Sequence, residues 1–117
     1  VATDDPVALT DRVRLIDSDG FQIQLQREEG STASVTPEDV GVIAISPGSG
    51  LLNGSPITVD VTGDNVTHNP TTISFPGIFN DSVFVARQQT RDGGDTAVVR
   101  SRNLSSTSVE ILIEEDV

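Results

Sequence analysis

The sequence predicts an all-β chain, an antiparallel β-sandwich of seven to nine short strands, on three observations. Apolar residues alternate with polar ones over short runs, and turn dipeptides recur between those runs. No segment carries a sustained helical apolar spacing; Pro37-Glu38-Asp39 at most starts a single turn. Apolar residues make up 35% of the chain but aromatics only 3%, so the core must be aliphatic. A core of Val, Ile, Leu and Ala with four Phe fits packed sheets better than a pocket for a large cofactor.

Residues 12–17 and 21–28 alternate around Asp19-Gly20, a dipeptide typical of tight hairpins. In the second of these strands Phe21, Ile23 and Leu25 share one face, and Gln22, Gln24 and Gln26 share the other. Residues 40–45 form a continuous apolar run between Pro37 and Pro47, the pattern of a central buried strand. Residues 46–55 (SPGSGLLNGS) read as turn material, and 57–62 alternate again through Ile57, Val59 and Val61. A loop over 63–70 holds the single histidine, His68. Residues 71–75 read as a short strand, 76–81 as a turn, and 83–89 as a strand with Val83, Val85 and Arg87 on one face. Residues 91–95 (RDGGD) form a loop rich in residues that tolerate positive φ. Residues 96–102 and 108–114 close the chain as a last hairpin.

That last hairpin resembles the first. Residues 87–117 align without a gap on residues 1–31 after a shift of 86 positions. Thr10, Val13, Arg14, Glu28 and Glu29 fall on Thr96, Val99, Arg100, Glu114 and Glu115, while Ile23 and Leu25 fall on Val109 and Ile111. The reading is one domain over 1–117 that begins a unit of about 86 residues a second time. Unpaired edge strands of such a split repeat would pair with another copy and join subunits head to tail. The alternative is that both half-units close on each other in one chain.

Charge narrows the range of partners. Eighteen acidic residues face seven basic ones, all Arg, for a net charge of −11 and a sequence pI near 4.1. Such a surface is a poor match for nucleic acid, which is bound through basic groups and counterion release. No apolar run approaches the ~18–20 residues of a membrane-spanning helix, so membrane insertion is not expected. Without Cys, disulfides, thiolate metal sites and thiol nucleophiles are excluded.

Val99-Arg100, Asn103-Leu104-Ser105 and the run Val40-Gly41-Val42-Ile43-Ala44-Ile45 together resemble the repeat of H-type lectin domains, in permuted order. In that family a VR-x-x-N-hydrophobe-(S/T) segment leads into an alternating strand, and a VG-x-x-A strand closes the unit. The resemblance implies an antiparallel six-stranded sandwich, commonly trimeric, that binds sugars such as N-acetylgalactosamine at edges between protomers. Family sugar sites place an aromatic or histidine just before the closing strand. Residues 29–39 hold neither here, and no sugar site is carried over.

Several residues are candidates for ligands. Asp17 and Asp19 match the opening of a calcium loop, and Asp92 and Asp95 supply further hard oxygen ligands for Ca²⁺, although the terminal Glu of an EF-hand loop is missing. The same acids also serve as ordinary hairpin-turn chemistry. Asn65, His68, Arg91 and Asp92 lie in loops that could contact a glycan. One His without a second His or any Cys does not make a zinc site, and no G-x-S-x-G elbow is present. No catalytic residues and no cofactor beyond Ca²⁺ are expected. Asn53, Asn65, Asn80 and Asn103 each begin an N-x-[ST] sequon, and Pro70 spoils the one at Asn69. The sequence therefore predicts a non-enzymatic structural or adhesive module, extracellular or at the cell surface, that self-associates through edge strands into a filament or array. The alternative is a carbohydrate-binding module of the H-type lectin kind.

Overall fold

A computed structural model of the chain describes residues 9–27, 32, 34–90 and 96–115. Along them run seven strands: β1 (Leu9–Arg14), β2 (Gln22–Arg27), β3 (Gly48–Leu52), β4 (Ser55–Val59), β5 (Thr71–Ser74), β6 (Ala97–Arg102) and β7 (Ser108–Glu115). No helix occurs among the described residues, and the chain is all-β, as its alternating pattern predicts. The strands make three small antiparallel sheets, ordered β1-β2, β3-β4 and β5-β7-β6. The chain divides into two compact units. One comprises Val1–Val40, Arg87–Val98 and Glu114–Val117; the other comprises Gly41–Ala86 and Val99–Ile113.

In the first unit β1 and β2 pair from Leu9↔Arg27 to Arg14↔Gln22, which sets Val13 opposite Ile23. The turn between them is held by Asp17. Its Oδ1 accepts the backbone N–H groups of Asp19 (2.8 Å) and Gly20 (2.9 Å), and its own N–H donates to the Gly20 carbonyl (2.9 Å). A short acidic side chain takes the place of a backbone acceptor here, which is why Asp ahead of a Gly suits this turn.

In the second unit β3 and β4 pair from Gly48↔Val59 to Leu52↔Ser55 around Asn53-Gly54. Both turn residues have positive φ, 49° and 84°, as a two-residue loop of the primed type requires. Ser49 and Thr58, directly opposite, share a hydroxyl hydrogen bond of 3.0 Å. Strand β7 is central in its sheet and pairs with β5 from Thr71↔Ile111 to Ser74↔Ser108. Alternation along β7 sends Val109 (0% exposed) and Ile111 (6%) inward, and these are the buried apolar side chains among the described residues. Beyond β5 the chain stays close to the β6–β7 loop: Phe75 N–H donates to the Thr107 carbonyl and Phe79 N–H to the Ser106 carbonyl, each at 2.8 Å. The Phe75 and Phe79 rings meet edge to face at 5.7 Å. An 86-residue shift carries β2 onto 108–113, the first six positions of β7.

Four expectations are corrected. Residues 40–45 are not a central buried strand: they enter no ladder and Ile43 is 88% exposed. An apolar run becomes a buried strand only where flanking strands cover it, and none pairs with this one. Residues 83–89 likewise form no strand, and Val83 and Val85 are 90% and 85% exposed. Residues 46–55, read as turn material, contain β3, because the turn is confined to Asn53-Gly54 and the preceding Gly-Ser-Gly run is extended and paired. Pro37-Glu38-Asp39 starts no helical turn.

Candidate functional site

Two polar constellations and one surface depression carry the side-chain chemistry of the described residues. The first constellation lies on the glutamine face of β1-β2. Arg12 and Arg14 stand opposite Gln24 and Gln22 and therefore share that face. Arg14 Nε donates to Gln22 Oε1 at 3.2 Å. Arg12 is buried, and its Nε and Nη1 each donate at 3.0 Å, to Gln26 Oε1 and Gln88 Oε1. Next to it Arg87 pairs with the Asp11 carboxylate and donates to the Asp11 carbonyl. A charged guanidinium is buried at tolerable cost only when its donors are satisfied, and the two amide oxygens serve that purpose.

The second constellation lies at the β6–β7 connection. Asn103 adopts a left-handed φ of 52° directly after β6. Its Nδ2 donates to Glu110 Oε2 at 2.9 Å, and Arg102 Nε donates to the same oxygen at 2.7 Å. These two donors, Arg102 foremost, hold the Glu110 carboxyl below its ordinary value of 4.5. Ser105 Oγ closes the loop by accepting from Thr107 N–H (3.2 Å) and Ser108 N–H (3.0 Å).

Beside this loop an open depression of about 330 Å³ is lined by Phe79, Asn80, Asp81 and Ser82 from one segment and Leu104, Ser105 and Ser106 from the other. It combines an apolar ring and a Leu with carboxylate, amide and hydroxyl groups. Asp81, at its rim, is held at a φ of 52°.

The sequence-predicted site residues are dispersed. Asp17 and Asp19 sit in one turn, where Asp17 Oδ1 is committed to two backbone N–H groups and Ser18 Oγ donates to Asp19 Oδ1 at 3.4 Å. Asp92, Asp95 and Arg91 lie outside the described residues. Among the described residues no three His or acidic side chains gather closely enough to hold a metal ion. Asn65 and His68 are exposed in the loop before β5. There Asn65 N–H donates to the Gly63 carbonyl at 2.8 Å, and Thr67 Oγ1 accepts from Asn69 N–H at 3.2 Å. Sequence reasoning missed the Arg12–Gln26–Gln88 and Arg102–Asn103–Glu110 groupings. Neither contact was legible: a two-residue turn at Asp19-Gly20 sets Arg14 opposite Leu25, whereas the seven-residue connection after β1 sets it opposite Gln22, and Gln88 lies 76 residues from Arg12.

Sheets of two and three strands joined by polar turns, with exposed hydrogen-bonded networks, define an acidic all-β module. Among curated proteins it is similar to Halomucin of Haloquadratum walsbyi, with 31% identity over 115 residues. That similarity covers 96% of this chain and 1% of Halomucin, so the chain spans about a hundredth of that relative's length. No family model matches the chain, and no solved structure matches it.

Proposed function

We propose that this chain is a non-catalytic, extracellular structural module that associates with further β-modules, copies of itself included, through exposed apolar segments. One observation carries the reading: Ile43, Val83 and Val85 stand almost fully exposed on segments that enter no ladder. Covering a Val or Ile side chain is worth about 1.5–3 kcal/mol, and a backbone outside any ladder offers N–H and C=O groups for strand addition. The small sheets favour the same outcome, since a two-stranded hairpin such as β3-β4 is marginal without a covering layer, and Leu51 and Leu52 on β3 are exposed. The extracellular setting draws support from the similarity to Halomucin, whose name describes a mucin. Four sequons fit such a setting.

Sedimentation velocity across a concentration series, in dilute buffer and in molar salt, tests the association. Salt is needed because each copy carries a charge of −11 and like-charged modules repel until screened. The expected result is a concentration-dependent shift to larger species in salt, lost in an Ile43→Asp/Val83→Asp double variant whose circular dichroism is unchanged. A single monomeric species at every concentration and salt level overturns the proposal.

A further inference from the structure

Four sequons are present, and their local structures are unequal. At Asn103-Leu104-Ser105 both reacting groups are already used: Asn103 Nδ2 is bound to Glu110 and Ser105 Oγ to the backbone of residues 107 and 108. At Asn65-Val66-Thr67 the hydroxyl accepts from Asn69 N–H, and the Thr67 carbonyl takes the N–H of Ile113 in β7. Asn53-Gly54-Ser55 is a hairpin turn whose Asn is fixed at a φ of 49° and whose Ser runs straight into Pro56 in β4. Asn80-Asp81-Ser82 differs from the first two in its hydrogen bonds, and from Asn53-Gly54-Ser55, whose amide and hydroxyl are equally unbonded, in that its Asn lies at no positive φ and no proline follows. Among the described residues neither the Asn80 amide nor the Ser82 hydroxyl is taken by a hydrogen bond. Asn80 is exposed, on a turn at the edge of the open depression beside Phe79 and Leu104.

We propose that Asn80 is the N-linked glycosylation site of this module, and that Asn103, for all its matching motif, is a structural turn residue. Glycosylation requires an approachable Nδ2 and a hydroxyl two residues later that is free to polarise the amide. The donor is an oligosaccharide activated through its anomeric carbon as a lipid-linked phosphate ester, and the catalyst is a transferase separate from this chain. Asn80 Nδ2 forms the new C–N bond and gives up one proton. The anomeric C–O bond breaks, and the lipid phosphate leaves with the bonding electron pair. The depression gives the first sugar room beside the Phe79 ring and the Leu104 side chain without displacing a hydrogen bond. The placement rests on the extracellular reading above.

The test is the intact mass of the whole chain secreted by a cell with N-glycosylation machinery, compared across Asn→Gln variants. A glycan mass on the wild-type chain and on Asn103→Gln, with complete loss in Asn80→Gln, is the expected result. Ser82→Ala leaves Asn80 in place and should lose the glycan equally, which separates a missing sequon from a misfolded variant. An added mass that persists in both Asn80→Gln and Ser82→Ala overturns the proposal, as does a secreted wild-type chain with no glycan on Asn80. The extracellular reading fails by a different result, recovery of the native protein only inside its source cells, which leaves the outcome for the secreted chain intact.

Discussion

Arg12 donates from Nη1 to the side-chain oxygen of Gln88 across 3.0 Å, joining β1 to a segment 76 residues further along. Backbone ladders link β1 to its neighbour in sequence, but this contact links distant parts of the chain within one unit, and it does so around a buried charge. Arg12→Met keeps most of the side-chain volume while it removes the donors to Gln26 and Gln88. The expected loss is about 1–3 kcal/mol, since partly buried amide oxygens are left without that partner. Urea unfolding of the two proteins measures it, and an unchanged midpoint would mean that the guanidinium contributes nothing.

Val109 and Ile111 concentrate the apolar burial of the second unit on one strand. Ile111→Ala should cost about 2–5 kcal/mol through lost transfer energy and the cavity left behind. The same change at Ile43, which is exposed, should stay within about 0.5 kcal/mol in dilute buffer. Parallel denaturant titrations of the two variants give the comparison.

Gly54 sits at a φ of 84°, where a side chain with a Cβ is strained even though nothing crowds the position. Gly54→Val should therefore destabilise the β3-β4 hairpin by about 1–2 kcal/mol, through crowding of Cβ against its own local backbone rather than against the rest of the chain. Amide hydrogen exchange at Ile57 and Val59, whose N–H groups face β3, should accelerate, while exchange in β7 stays as it was.

The Glu110 carboxyl is held below its ordinary value by Arg102 and then Asn103. A carboxyl whose native pKa is depressed adds stability that is complete above the unfolded value of about 4.3. That contribution disappears as pH falls through the lower native value. Melting temperature should accordingly drop more steeply below about pH 4.3 in the wild-type chain than in Glu110→Gln. A carbon-detected titration of Glu110 that midpoints at or above 4.5 would contradict the assignment.

Eighteen acids against seven arginines leave self-repulsion that bulk salt screens. Thermal stability should rise steadily from millimolar to molar NaCl. Potassium chloride should act almost identically, because the effect is screening rather than ion binding. A flat response across that range would show that the charges lie too far apart to matter.

Local signals were legible for the first hairpin and for β7, but not for β3, although it shares the two-residue Asn53-Gly54 turn with β4. Asp19-Gly20 marked the first hairpin, and alternation through Ile23 and Leu25 marked β2. Alternation also placed Val109 and Ile111 on the inner face of β7. What failed were inferences from apolar content alone. Residues 40–45 and 83–89 look more strand-like than Gly48-Ser49-Gly50, yet the glycine-containing segment is paired and they are not. Strand formation depends on whether a partner backbone is at hand, and composition does not record that. The site was less legible still. The turn chemistry of Asn103 and the reactivity proposed for Asn80 are spelled by the same N-x-S motif, and the bonds that tie Asn103 to Glu110 and Ser105 to the backbone tell them apart.

With Val109 and Ile111 as the buried apolar pair among the described residues, few positions are held to a particular shape and size. Substitution at other apolar positions among the described residues should therefore cost the fold little, and what constrains Ile43, Val83 and Val85 is the proposed association rather than packing. Kinship between modules of this kind should survive longest at Asp17-Ser18-Asp19-Gly20 and Asn53-Gly54, where the bend of the backbone dictates the residue.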